Sequence, residues 1–260
     1  MVLLFAHRGG TDGGHPENSI AAMAEALANG LSLESDVRLS LDGEPVLVHD
    51  SYLVARGSVP RRVRRMSAAH LARYGVATLS QLYEELGSDF ELSIDVKDTD
   101  AIDATLAVAE AADAVRRLWL VHDSIHTLQR IRRRSSDVRL MHETRLLELA
   151  RNGIDPLRHM DLLKRFEVDA QNTHWGRWTP ELVDAAHARG LLAFGSIAQT
   201  PKQMRRALAL GLDGLYTDHG KDLVAVAAQL QVGGEPDHES AGGIKRRRAS
   251  GSLSRMWDLA

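Results

Sequence analysis

Short apolar runs separated by longer amphipathic stretches repeat through most of the chain, at residues 2–6, 31–37, 90–96, 118–121, 138–141, 168–170, 191–194 and 214–216. Runs of this length suit strands buried on both faces. The stretches between them look helical: 18–28 and 101–115 are alanine-rich, and 180–189 and 201–210 each open on a proline and are followed by Gly190 and Gly211. Proline fits the first helical turn and glycine the position just past the last. Strand–helix alternation implies a parallel sheet, because each parallel pair needs a crossover. At 260 residues the leading expectation is an α/β fold of the (β/α)8 TIM-barrel type, with an open doubly wound sheet second. Periodicity alone does not separate the two.

Two regions interrupt the alternation. Leu41-Asp42-Gly43-Glu44 is a turn signal between strand-like 37–40 and 45–49, which predicts a hairpin added to the second strand. Residues 50–77 then form an insertion carrying Arg61, Arg62, Arg64 and Arg65. These arginines read either as a solvated face or as a basic rim that attracts an anion. From Gly233 the chain turns rich in glycine, serine and charge, which predicts a flexible tail. The expected layout is therefore a barrel over 1–232, with an insertion at about 50–77, and a tail over 233–260. Within the tail, 245–250 has the pattern of a basic-directed phosphorylation site, and Met256-Trp257 is an apolar pair with no evident partner.

Composition removes several classes of function. With no cysteine, disulfides, thiolate metal sites and cysteine nucleophiles are excluded. A formal charge of -3 gives no general drive toward nucleic acid or an anionic membrane. No apolar run approaches the ~20 residues of a membrane-spanning helix. The opening MVLLFAHRGG has too short an apolar run for a signal peptide, so a soluble, cytoplasmic protein is expected. Oligomeric state is left open.

The polar residues at the strand ends point to chemistry. His7 and Arg8 close the first run, Glu34 and Asp36 lie two apart on the second, His49 and Asp50 end the hairpin, and Asp95 and Lys97 repeat the two-residue spacing. Residues two apart on a strand share a face. Three carboxylates gathered in one site repel one another, and a divalent cation resolves this; oxygen ligands favour Mg²⁺ or Ca²⁺. Arg8 and Lys97 add fixed positive charge suited to a phosphate. His7 and His49 supply imidazoles, the side-chain type suited to acid–base work near neutrality. Together these groups suggest acid–base cleavage of a phosphate ester. Taken singly, each pair is as well explained by a salt bridge or a turn.

In this order the motifs resemble the glycerophosphodiester phosphodiesterase family: His7-Arg8-Gly9, Pro16-Glu17-Asn18-Ser19, Glu34-Ser35-Asp36-Val37, Ser40-Leu41-Asp42-Gly43 and Pro45-Val46-Leu47-Val48-His49-Asp50. Thr78-Leu79, Ile94-Asp95-Val96-Lys97 and Gly211-Leu212-Asp213-Gly214-Leu215-Tyr216-Thr217-Asp218 extend the likeness over roughly residues 1–230. The resemblance implies a TIM barrel with a metal-dependent site at the C-terminal strand ends. Glu34, Asp36 and Asp95 would bind Mg²⁺ or Ca²⁺, Arg8 and Lys97 would hold the phosphate, His7 and His49 would be the acid and base, and Glu17 would support the site. The implied substrate is a small glycerophosphodiester, cleaved to sn-glycerol 3-phosphate and an alcohol. Alternatives are a lysolipid substrate (lysophospholipase D), a cyclising phosphodiester lyase, or a non-catalytic phosphate-binding barrel. No nucleic-acid partner is implied.

The chain also departs from the family pattern. Asp95 stands where glutamate is usual and reaches one methylene less far. Residues 194–199, Phe-Gly-Ser-Ile-Ala-Gln, replace a Trp-Thr-x-Asn segment, so the pocket wall differs; Trp175 or Trp178 is either a substitute wall or a packing residue. His219-Gly220 follows Asp218 in place of a residue-then-proline ending. His122-Asp123, His142-Glu143, Asn172 and His174 follow later runs and, in a barrel, face the catalytic rim or serve as loop contacts. The insertion is short, which leaves the site open to a bulky diester.

Overall fold

The computed structural model describes residues 2–54 and 59–232. Eight parallel strands close into a barrel: β1 (Leu3–Ala6), β2 (Ser32–Leu39), β6 (Leu92–Val96), β7 (Leu118–His122), β8 (Arg139–Glu143), β9 (Ala170–His174), β10 (Leu192–Ser196) and β11 (Gly214–Thr217). Closure comes from β1, which pairs with β11 on one side and β2 on the other. The open doubly wound alternative is thereby excluded.

The hairpin is present: β3 (Pro45–Leu47) runs antiparallel to β2, with Val37 opposite Leu47. The insertion holds a two-stranded ribbon, β4 (Tyr52–Leu53) and β5 (Arg61–Arg62), and a short helix α2 (Ala68–Ala72). It has an apolar core of its own, where Val46, Val48, Val63, Met66, Leu71 and Val76 cluster. Arg61, Arg62, Arg64 and Arg65 are exposed, and Arg64 is paired with Asp98 and Asp100. The expected tail at 233–260, with its phosphorylation-like string and Met256-Trp257, lies outside the described residues.

The outer layer comprises α1 (Ile20–Ala28), α3 (Leu79–Leu86), α4 (Ile102–Ala111), α5 (Ile125–Arg134), α6 (Leu146–Arg151), α7 (Pro156–Arg165), α8 (Pro180–Ala188), α9 (Pro201–Ala209) and α10 (Gly220–Val232). Their starts are locally encoded. Thr78 and Thr200 form capping boxes with Gln81 and Gln203, and prolines open α7, α8 and α9, as proline's fixed φ favours. Among the described residues no helix is long and apolar enough to cross a membrane.

Two cores follow from the alternation of side chains along the strands. Leu33, Val37, Ile94, Leu120 and Leu140 face the helices. Phe5, Trp119, Val121, Met141, Ala170, Phe194 and Tyr216 fill the barrel, as stacked layers do in this architecture. The polar sequence of β9, with Gln171, Asn172 and Thr173 all buried, hides its true extent: the apolar run 168–170 only enters a strand that continues to His174.

Candidate active site

β1 runs into a single 3-10 turn, His7–Gly9, in which Arg8 adopts φ 52 and ψ 32. Left-handed backbone is uncommon in non-glycine residues and clusters at functional sites. Here it aims the Arg8 amide at Glu34, whose Oε2 accepts at 2.7 Å. Gly9 follows at φ 84, and a Cβ there would sit 2.8 Å from Cβ of Ala22. Only glycine lets this turn lie against α1.

The segment 16–19 locks the turn in place. The Asn18 amide donates to the Arg8 carbonyl (2.8 Å), its Nδ2 donates to Asp36 Oδ2 (3.2 Å), and its Oδ1 accepts from Ser35 (2.7 Å). Glu17 accepts from Arg8 Nη1 at 3.0 Å, and Ser19 caps α1.

The acidic residues lie on neighbouring strands. Asp36 and Asp95 are direct register partners across β2 and β6, and Glu34 is paired with Ser93 one step below. Lys97 Nζ sits 2.5 Å from Asp95 and 3.4 Å from Asp36, while Arg8 Nε sits 3.2 Å from Asp36. Burial works against the Lys97 charge, but the charges of Asp95 and Asp36 outweigh it and raise its pKa. Glu34 is buried beneath them. Burial first, then the Asp36 and Asp95 charges, push its pKa up to about 8, against the opposing pull of His7 and the Arg8 amide.

Asp36 is engaged by Arg8, Lys97 and Asn18. Among the described residues no three histidine, aspartate or glutamate side chains converge closely enough to hold a metal ion. The donor chemistry nevertheless fits a hard dication. The set is all oxygen, and the buried Glu34 faces two like charges that a cation would offset.

His7 is set by barrel closure. Its Nδ1 lies 2.6 Å from Asp218 Oδ1, and its Nε2 lies 3.9 Å from Glu34 Oε2. Burial lowers the imidazole pKa, but the Asp218 hydrogen bond and the charges of Glu34 and Asp218 more than compensate, so the net shift is upward. The Asp218 carboxyl is held low, chiefly by that same bond. Gln199 steadies Asp218: its Nε2 donates to the carboxylate, and its Oε1 accepts from the Asp218 amide (3.1 Å) and from Thr217 (3.2 Å). His49 sits higher on the rim, half-exposed, with Nδ1 2.8 Å from Asp50.

A cavity of about 160 Å³ opens in the barrel mouth, lined by His7, Glu34, Asp95, Glu143, Asn172 and Ser196, among others. Inward alternation on β8 places Met141 and Glu143 inside, so the neighbouring His142 packs outward against His159. His174 is exposed and caps a short turn at Gly176. Neither tryptophan forms a wall of the cavity. Trp178 is buried with its indole donating to the Phe194 carbonyl, and Trp175 packs against the outer core beside Arg206.

Sequence reasoning gave no role to Asp218 or Gln199 and only a loose one to Glu143 and Asn172. The signal for Asp218 was its place just past the last strand, since a closed barrel sets that strand beside β1.

Comparison with known proteins agrees with this fold. The profile of the glycerophosphoryl diester phosphodiesterase family matches residues 7–221. A glycerophosphodiester phosphodiesterase of Bacillus altitudinis is 24% identical over 259 residues, covering 89% of this chain and 100% of the relative. A Thermotoga maritima glycerophosphodiester phosphodiesterase structure superposes with TM-score 0.75 at 19% identity, over 87% of this chain and 98% of that one. An Oleispira antarctica phosphodiesterase, solved with the product sn-glycerol-3-phosphate, superposes with TM-score 0.71 at 18% identity, over 87% of this chain and 96% of that one.

Proposed function

The chain belongs to the glycerophosphoryl diester phosphodiesterase family, and on that basis we propose that it is a divalent-cation-dependent hydrolase that cleaves small glycerophosphodiesters to sn-glycerol 3-phosphate and an alcohol. The observation that carries this reading is the gathering of His7, Arg8, Glu34, Asp95 and Lys97 from three adjacent strands on one rim of the barrel. The relative solved with sn-glycerol-3-phosphate supports the product.

Glu34, Asp36 and Asp95 would hold Mg²⁺ or Ca²⁺, which when bound supplies fixed positive charge against the non-bridging phosphate oxygens. Arg8 and Lys97 add the protein's own charge to the same oxygens. Arg8 offers a planar fork and Lys97 a point charge, each positioned by its carboxylate partners. Such preorganised charge stabilises the transition state because it needs no reorganisation during reaction. His7 and His49 carry the two proton transfers, one taking a proton from attacking water and the other giving one to the leaving alcohol. Asp218 fixes the His7 ring and supports its protonated form. Glu17 acts through Arg8.

The test is release of glycerol 3-phosphate from a panel of glycerophosphodiesters with Mg²⁺ or Ca²⁺, then with a chelator. Metal-dependent release that disappears in His49→Ala is expected. Equal turnover after chelation, or a cyclic phosphate in place of glycerol 3-phosphate, would overturn the assignment.

A further inference from the structure

The catalytic groups occupy one arc of the barrel mouth, on β1, β2 and β6. Across the cavity, on β8 and β9, lies a second polar pair that the reaction above does not use. Asn172 Nδ2 donates to Glu143 Oε2 at 2.6 Å. With the Asn172 amide nitrogen turned to Glu143, the amide oxygen points elsewhere. That oxygen is buried with no hydrogen-bond partner, in a residue only 6% exposed. Both residues line the same cavity as His7, Glu34 and Asp95. Burial without a partner is costly, and an unsatisfied acceptor beside a cavity calls for a donor.

The rest of the lining sets hydroxyl groups among the apolar side chains of Val121 and Ile197. Ser93 and the Tyr216 hydroxyl are hydrogen-bonded to each other at 3.0 Å, and Ser196 stands opposite in the strand segment where the family pattern carries tryptophan. The polar part of the surface is therefore made of hydroxyl, amide and carboxyl groups. The cavity's 160 Å³ is about five times the ~30 Å³ share of a liquid water, the scale of a three-carbon polyol.

We propose that Glu143 and Asn172 form the subsite that binds the hydroxyls of the glycerol arm of the diester. The inference rests on the hydrolase reading above and adds the residues that select the substrate. A diester has one constant arm and one variable arm. The constant, small, hydroxyl-bearing arm fits the size and the polar groups of this cavity. The variable alcohol leaves over the open rim near His49, which does not line the cavity. The Glu143 carboxyl accepts from one hydroxyl, rotation of the Asn172 side chain brings its unpartnered oxygen to the other, and the phosphate remains with Arg8 and Lys97.

The experiment compares glycerophosphocholine with 4-nitrophenyl phosphocholine, which share choline and phosphate but differ in glycerol. In Glu143→Leu the ratio of kcat/KM for the first over the second is expected to fall on the order of 10-fold, mostly through KM, as the loss of a buried hydrogen-bond acceptor predicts. Glu143→Gln, which keeps the shape and one oxygen, should recover much of that ratio. A ratio within threefold of wild type would overturn the proposal, because Glu143 would then serve fold or chemistry alike for both substrates. A rise in the ratio would overturn it too, by placing choline at the pair. If the wild-type protein cleaves neither diester, the hydrolase reading fails on its own. Calorimetry then decides the subsite: sn-glycerol 3-phosphate should bind wild type at least tenfold tighter than inorganic phosphate and lose that margin in Glu143→Leu, and equal binding of the two probes to wild type would reject it.

Discussion

Asp218, the residue just past the last barrel strand, holds His7, the residue just past the first, by a 2.6 Å contact between Oδ1 and Nδ1. The two are 211 positions apart in sequence, and barrel closure makes them neighbours: Phe5 pairs with Tyr216 and Ala6 with Thr217, so the next step along both strands sets the carboxylate beside the imidazole. The bond fixes which ring nitrogen faces the cavity.

From this contact, Asp218→Asn is expected to lower kcat by about 10²–10⁴-fold, the range for a mis-set acid–base histidine. The His7 pKa is raised by Asp218 and Glu34 against burial. Removing one carboxylate therefore weakens the protonated form, and the limb of the kcat/KM–pH profile governed by His7 moves to lower pH. A profile of unchanged shape with only a lower plateau would show that Asp218 does not tune His7. Gln199→Leu, acting one residue further out, should give a smaller loss and a shift in the same direction.

Glu34 gives a second prediction, from proton counting. Its carboxyl, pushed up to about 8 chiefly by burial, is mostly protonated at pH 7 without a cation. Binding of Mg²⁺ or Ca²⁺ needs the carboxylate, so it should expel a proton at pH 7 and progressively less above pH 8. Calorimetry in two buffers of different ionisation enthalpy measures this directly. Binding with no proton release at pH 7 would contradict it. Glu34→Gln should abolish both the release and detectable cation binding.

How much of this was readable in advance divides by distance in sequence. The strands, the hairpin at 41–44 and the helix starts at Thr78, Pro180 and Pro201 were legible, because turn residues, caps and alternation are local signals. The α/β class was legible too, but the alternation did not separate a closed barrel from an open sheet, and pairing of β1 with both β2 and β11 decides it. The clustering of the candidate rim was legible through spaced pairs such as Glu34 and Asp36, which share a face whatever the fold. The Asp218–His7 contact was not, because it depends on closure, and Gln199 acts only through Asp218. Asn172 was obscured by the polar composition of β9. The apolar core beneath the arginines of the insertion was hidden because Val63, Met66, Leu71 and Val76 do not form a periodic run.

Gly9 makes a prediction about how the turn is built. Alanine there must adopt φ 84 and place a methyl 2.8 Å from Cβ of Ala22. Strain of this kind costs about 1–3 kcal/mol, and relief by moving the turn would carry Arg8 away from Glu34 and Asp36. Gly9→Ala should thus lose stability and lose affinity for phosphate together. Denaturant unfolding and phosphate inhibition constants report the two effects, and an intact inhibition constant in a destabilised protein would separate the turn from the phosphate site.

His142 supplies a prediction about stability in acid, independent of catalysis. It is 5% exposed, packed edge-on against His159, and its pKa is lowered from 6.5 to about 4, mainly by burial. A histidine whose folded pKa is depressed takes up its proton more readily in the unfolded chain. Its stabilising share is thus complete above the unfolded pKa near 6.5 and is lost as pH falls toward the folded value near 4. A gap of that width corresponds to roughly 3 kcal/mol at the acid end. Replacing the ring by a residue that does not titrate, as in His142→Gln, removes this proton uptake. The slope of unfolding free energy against pH between 6.5 and 4 should then be visibly shallower in the variant, even if its stability at pH 7 is lower from lost packing. Parallel slopes in the two proteins would mean that His142 is already protonated in the folded state, and that Thr144, whose hydroxyl lies 2.7 Å from its Nδ1, accepts rather than donates.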